Sequence, residues 1–387
     1  MGVGRTRAVA VVGIEGTVVD IEADVSAGLP KFILGGLPDT ACKQAPDRIL
    51  AACANSDLKL SRQRITVNMS PADLPKQGSG FDVAIALAAL AAGGDEVDTR
   101  VIRDVVHLGE LGLDGTVRPL PGVLPAVLAA AAAGVRTVVV PEQNAREAAL
   151  VSGVEVVPVR DLADLVVRYR CLARGKQPPP LPVIEPPSPS SRSLPDLRDV
   201  VGQPEARYAV EVAAAGGHHM AMIGPPGAGK TMIAERLPGI LPALTEAEAL
   251  EVTAIHSVLG QLEADVLVRH PPFVAPHHGT SLAAMVGGGS GRIRPGAVSR
   301  AHTGILFLDE SSNGKCTSFS KEVTDEDDYE AAWRERTAGT GDTGGGLSGV
   351  YSDGAGHTSG RHAADLSVLA AVEVPQGQGG CDRASAP

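Results

Sequence analysis

From Val9 to Ile21 the chain is mostly apolar or β-branched, with Glu15-Gly16 dividing it and Asp20 as the other charged residue. Two short runs divided by Glu15-Gly16, Val9 to Ile14 and Thr17 to Ile21, predict two strands and a turn. The spacing becomes helical at Pro46 to Asn55 and returns to a strand at Arg64 to Asn68, followed by an Ala-rich helix from Phe81 to Ala92. Val105 to Glu110 and Thr137 to Val140 read as further strands, with a helix from Pro125 to Ala133 between them. This interleaving predicts an α+β domain over residues 1–172.

A proline-rich stretch follows. Pro178, Pro179, Pro180, Pro182, Pro186, Pro187, Pro189 and Pro195 lie among serines, and proline locks φ and cannot donate to a ladder. Residues 173–195 are therefore read as an extended linker. A second domain, residues 196–310, has an α/β pattern: helix Pro204 to Ala214, strand His219 to Ile223, a glycine turn opening the helix Lys230 to Leu237, and a helical face over Glu246 to Val252. Residues 311–387, with runs such as Gly339-Thr-Gly-Asp-Thr-Gly-Gly-Gly, lack a sustained apolar period and predict a largely disordered tail. Leu366 to Val374 is the one run there that reads as a strand.

Composition narrows the function classes. Hydrophobic residues are 44% and charged residues 20%, so a buried core is expected. Aromatics are 3%, which argues against stacked platforms for nucleic acid, and a net charge of −11 argues against a globally basic coat. A local basic channel stays open. Cys42, Cys53, Cys171, Cys316 and Cys381 form no C-x-x-C pair, so neither a disulfide framework nor a zinc site is indicated. Arg5 and Arg7 precede an apolar stretch that Glu15, Asp20 and Glu22 interrupt, so no signal peptide or membrane span is read, and a reducing cytoplasm is the expected location.

The chemistry concentrates in two motifs. Gly224, Pro225, Pro226, Gly227, Ala228, Gly229, Lys230 and Thr231 satisfy G-x-x-x-x-G-K-[ST] between a predicted strand and a predicted helix. Glycines let backbone amides turn inward around phosphates; Lys230 reaches the β- and γ-phosphates and the Thr231 hydroxyl ligates Mg²⁺. This pattern predicts ATP or GTP with Mg²⁺. The second motif is Ile305-Leu306-Phe307-Leu308-Asp309-Glu310, a buried parallel strand ending in two acids, where ligands of open α/β sheets bind. Asp309 would hold the Mg²⁺ shell and Glu310 orient or deprotonate water.

Together with Pro271-Pro-Phe-Val-Ala-Pro-His-His278, Gly287 to Gly289 and Arg294-Pro-Gly-Ala-Val-Ser299, these motifs resemble the magnesium-chelatase-like AAA+ ATPases, the ComM/YifB type in particular. The resemblance covers Met1 to Glu310 and implies a Lon-protease-like first domain and a hexameric, ATP-driven motor on DNA, acting in branch migration. A Lon-type serine–lysine dyad is not implied. The serine position in Pro75-Lys-Gln-Gly-Ser-Gly80 falls on Gly80, beside Ser79, and the lysine position falls on Leu124. Lys76 reads as a solvated loop charge, and the domain as a non-catalytic scaffold. By resemblance Arg292, Arg294 and Arg300 face a pore as DNA phosphate contacts; on charge pattern alone they read equally as surface arginines. His277 and His278 lack ligand-spaced partners and read as loop histidines rather than metal ligands.

After Glu310 the family pattern is not recognisable: no sensor asparagine, arginine finger or lid is read in residues 311–387, so impaired hydrolysis is expected. The family's strand order, 5-1-4-3-2, puts the P-loop strand between two strands that lie after Glu310, so loss of both neighbours is expected. Two other readings stay open: a motor for metal insertion into a porphyrin, and an interaction protein in which only the first domain folds.

Overall fold

The computed structural model describes residues 2–94, 96–184, 194–225, 227–262, 267–277, 279–288, 294–309, 350–352 and 367–373. The chain packs as two compact units, one of residues 1–190, 250–267 and 288–295, the other of residues 191–249, 268–287 and 296–387.

The first unit is built on strands β1 (Gly4–Val12), β2 (Glu15–Ser26), β3 (Lys31–Gly35), β4 (Arg64–Ser70), β5 (Val106–His107), β6 (Thr137–Pro141) and β7 (Glu155–Val159). They form one mixed sheet in the order β3-β4-β2-β1-β5-β6-β7. The β1–β2 and β2–β4 pairs are antiparallel and the others parallel. The first hairpin closes through Gly13 and Ile14, with Val12 facing Glu15, rather than through Glu15-Gly16. Gly13 takes φ +63, the left-handed value that a two-residue hairpin turn requires.

Both faces of this sheet are covered, which explains the mostly apolar run at the start of the chain. Ala8, Ala10, Ile21 and Ala23 face one cluster with helix α2 (Asp82–Gly93), while Val9, Val106, Val138 and Val140 face another with helix α3 (Val123–Ala132). Every residue of α2 from Asp82 to Ala92 is buried, and its alanines allow close approach to the sheet. Helix α1 (Ala45–Asn55) packs beside α2, and helix α4 (Leu162–Ala173) contributes Leu162, Leu165, Val166 and Tyr169 to the same core. Residues 250–267 also belong to this unit, although the sequence pattern groups them with the second domain. Leu250 and Ala254, one turn apart on a helix, pack into the Val106–Leu124 cluster.

The second unit has helix α5 (Pro204–Gly216), strand β8 (Met220–Gly224), helix α6 (Lys230–Ala234), the start of helix α7 (Glu246–Val258), and strands β9 (Phe273–Val274), β10 (Ile305–Leu308), β11 (Val350–Ser352) and β12 (Ser367–Glu373). The sheet order is β9-β10-β12-β8-β11, parallel throughout except for β11. One expectation is corrected here: the phosphate-loop strand β8 keeps a neighbour on each side, β12 and β11. The strand read at Leu366 to Val374 is found at residues 367–373, and residues 350–352 add a short strand that the sequence reading did not contain. The run Leu366 to Val374 supplies the central strand, whose backbone closes the gap between β8 and β10.

Candidate nucleotide site

Strand β8 carries the chain to Gly224 with Met220 and Met222 buried beneath it. The loop then turns through an Ala228 amide donating to the Pro225 carbonyl at 3.2 Å. Gly227 and Gly229 adopt φ +80 and +84, which a residue with Cβ holds only under strain. Helix α6 begins at Lys230 and ends at Ala234, shorter than the Lys230 to Leu237 pattern, because Leu237–Gly239 winds as a separate 3₁₀ turn around Pro238.

Lys230 is 5% exposed, and its Nζ donates to the Gly224 and Pro225 carbonyls at 2.9 and 3.2 Å. The ammonium is thus held by its own loop. Strand β10 is buried on both faces, Ile305 and Phe307 against one cluster and Leu306 and Leu308 against another. Asp309 follows it directly, and the Thr231 hydroxyl donates to Asp309 Oδ2 at 3.2 Å. A hydroxyl and a carboxylate so placed are hard oxygen donors of the kind Mg²⁺ takes, so the pair fits that ion. Between the two motif strands, Glu373 of β12 lies in register with Gly224 and Ala370 with Leu308. Pro226 and Glu310 lie outside the described residues.

The remaining predicted residues are dispersed. Arg292 and His278 lie outside the described residues, Arg294 is exposed on the short strand Arg294–Pro295 of the first unit, and Arg300 ends the helix Ala297–Arg300 of the second. His277 Nδ1 accepts the Gly279 amide at 3.1 Å. No cluster of three or more His, Cys, Asp or Glu side chains that could hold a metal occurs among the described residues. Glu248, on the helical face read over Glu246 to Val252, caps α7: it accepts the Thr245 amide at 2.7 Å while its own amide donates to the Thr245 hydroxyl. Sequence reasoning also missed Gln203, whose side chain bonds the phosphate loop.

In the first unit the reading of Lys76 is corrected. It is fully buried, not solvated; its Nζ donates to the Pro71 carbonyl and burial pushes its ammonium below the ordinary lysine range. The Ser79 hydroxyl donates to Glu110, not to Lys76, and Leu124 is buried in the core. Cys42 and Cys53 are buried, and desolvation pushes both thiols up to about 12, the range of inert thiols.

Comparison with known proteins accounts for both halves. A model described as magnesium chelatase, subunit ChlI, matches residues 196–325, and a second, subunit ChlI of Mg-chelatase, matches residues 21–144. An uncharacterized protein of Mycobacterium tuberculosis is 52% identical over 313 residues, 80% of this chain and 61% of that one. The competence protein ComM of Haemophilus influenzae is 40% identical over 300 residues, 77% and 58%, and YifB of Escherichia coli 39% over 314, 80% and 59%. The chain belongs to the magnesium-chelatase-like family of the ComM/YifB type. It spans about three fifths of the length of the ComM and YifB relatives it matches. The magnesium-chelatase match runs on to residue 325, past Glu310, where the motifs legible in sequence end. A Lon protease of Mycolicibacterium smegmatis is 30% identical over 176 residues, 42% of this ComM/YifB-type chain and 22% of the protease.

Proposed function

We propose that the second unit binds ATP with Mg²⁺ through Gly224 to Thr231 and Asp309, and that the chain serves as an ATP-driven AAA+ motor on DNA, assembled as a homo-oligomer. The observation that carries the nucleotide part is the 3.2 Å contact of Thr231 with Asp309, because residues 78 apart converge only if the loop and the strand end lie at the same C-terminal end of the parallel strands. Mg²⁺, when bound, would neutralise charge building on the transferring phosphoryl group. Loop amides hold phosphate oxygens, Lys230 exchanges its two carbonyl partners for phosphate, and Glu310 orients the attacking water. Hydrolysis is slow in this reading, since no arginine finger or second sensor is recognisable in residues 311–387 and such a finger is worth ~10³ to 10⁵ in rate in related phosphoryl-transfer systems.

The test is ATP binding by calorimetry with and without Mg²⁺, on the whole chain and on Lys230→Ala. Loss of affinity in the variant supports the site, and equal affinity overturns it. The DNA part is supported by the likeness to ComM, named a competence protein. Two magnesium-chelatase model matches favour the second reading, a motor for metal insertion. Turnover stimulated by single-stranded or branched DNA decides for the first.

A further inference from the structure

Gln203 stands at the N-cap of α5 in the left-handed conformation, φ +50 and ψ +53, and its side chain does not cap that helix. Short polar side chains at this position normally satisfy the helix's own amides. Here Nε2 instead donates to the Ala228 carbonyl at 2.7 Å, reaching 25 positions along the chain to the phosphate loop. The other end of the amide, Oε1, is buried without a partner among the described residues. A left-handed non-glycine backbone and an unpaired buried oxygen are both unfavourable, and such features persist where a contact elsewhere requires them. A Cβ built on Gly229 would stand 3.4 Å from Gln203 Nε2 and 3.1 Å from Met232 Cε, so the carboxamide lies directly over Gly229.

We infer that Gln203 is a positioning residue for phosphate binding, an inference that rests on the nucleotide reading above. A trans peptide is planar, so the carbonyl of Ala228 and the amide of Gly229 point in opposite directions. Tying the carbonyl to Gln203 therefore fixes the Gly229 N–H away from that side chain. This amide has no acceptor among the described residues and is free to take a phosphate oxygen. Without the tether the peptide can rotate, because the glycines on either side of Ala228 permit either hand of φ. Gln203 thus acts on the phosphate through the loop, without touching it.

The experiment compares the whole chain with Gln203→Met, which keeps side-chain length but cannot donate, and Gln203→Glu, a near-isostere that cannot donate to a carbonyl at neutral pH. ATP and ADP affinities are read by calorimetry and folding by thermal melting. The inference expects both nucleotides to bind about tenfold more weakly to Gln203→Met, the worth of one well-aligned hydrogen bond. The melting temperature should hold or rise, since the unpaired Oε1 has gone; a purely structural glutamine would lower it instead. Gln203→Glu should lose more, as its charge opposes the phosphates. If either folded variant binds ATP within about twofold of the parent, the inference is overturned while the nucleotide reading stands. Absence of ATP binding by the parent chain would overturn both.

Discussion

The Thr231 hydroxyl lies 3.2 Å from Asp309 Oδ2, joining the first turn after the phosphate loop to the end of a strand 78 residues later. Asp309→Asn keeps the shape of this contact but removes the charge that would balance Mg²⁺. Charge-assisted contacts are roughly twice as strong as neutral ones. ATP affinity measured with Mg²⁺ should fall about tenfold in the variant, and affinity measured in EDTA should not change. Equal losses in both conditions would mean that Asp309 shapes the loop rather than the ion site.

The central position of β12 makes a second prediction that needs only backbone. Ala370 pairs with Ala221 on one side and Leu308 on the other. Proline there cannot donate to the ladder and is tolerated in sheets only at edges and bulges. Ala370→Pro should therefore abolish ATP binding and leave the second unit open to limited proteolysis, while a fragment of the first unit stays resistant. A variant that keeps ATP affinity would show that residues 367–373 are dispensable to the site.

The phosphate loop and Asp309 were readable because their spacing is local and each glycine or acid has one dominant reason to be there. The helices read from Pro46, Phe81 and Pro204 are likewise present, at Ala45–Asn55, Asp82–Gly93 and Pro204–Gly216. Strand β3 and strand β7 were missed because short parallel strands carry no alternation. Lys76 was misread because burial of a loop lysine depends on Pro71 folding back over it, a contact no spacing rule encodes. The tail strand 367–373 was visible as an apolar run, but its place between β8 and β10 depends on register across more than 140 residues.

His107 supplies a pH-dependent prediction for the first unit. It is fully buried, with Nδ1 2.7 Å from the Thr6 hydroxyl and Nε2 2.5 Å from the Tyr169 hydroxyl, and burial pushes its pKa down to about 3. An unfolded histidine titrates near 6.5, so between roughly pH 6.5 and 3 the unfolded chain binds the extra proton and stability falls as pH drops. The slope is at most about 1.4 kcal/mol per pH unit from this group. His107→Gln should be less stable at pH 7 yet show a shallower loss on going to pH 5. Urea midpoints at both pH values measure this, and parallel losses in the two proteins would remove His107 as the cause.

Glu147 makes the same unit sensitive in a different way. It is 3% exposed; Oε1 accepts the Leu124 amide at 2.9 Å and the Ser257 hydroxyl, and Oε2 accepts Asn144 Nδ2 at 3.2 Å. The carboxylate therefore satisfies an amide in the first turn of α3, which Gly122 at the N-cap, lacking a side chain, leaves uncapped. Glu147→Ala would strand the Leu124 amide and the Ser257 hydroxyl, while Asn144 keeps its bonds to Leu120, at a cost of about 2 kcal/mol or more, because orphaned buried groups lose their solvation without return. Glu147→Gln can still accept the Leu124 amide and should cost about half as much. Ser257→Ala removes one donor and should cost about 1 kcal/mol. Chemical denaturation of the three variants checks the ranking. If Glu147→Ala proves no worse than Ser257→Ala, the carboxylate is not the hub that holds the N-terminus of α3.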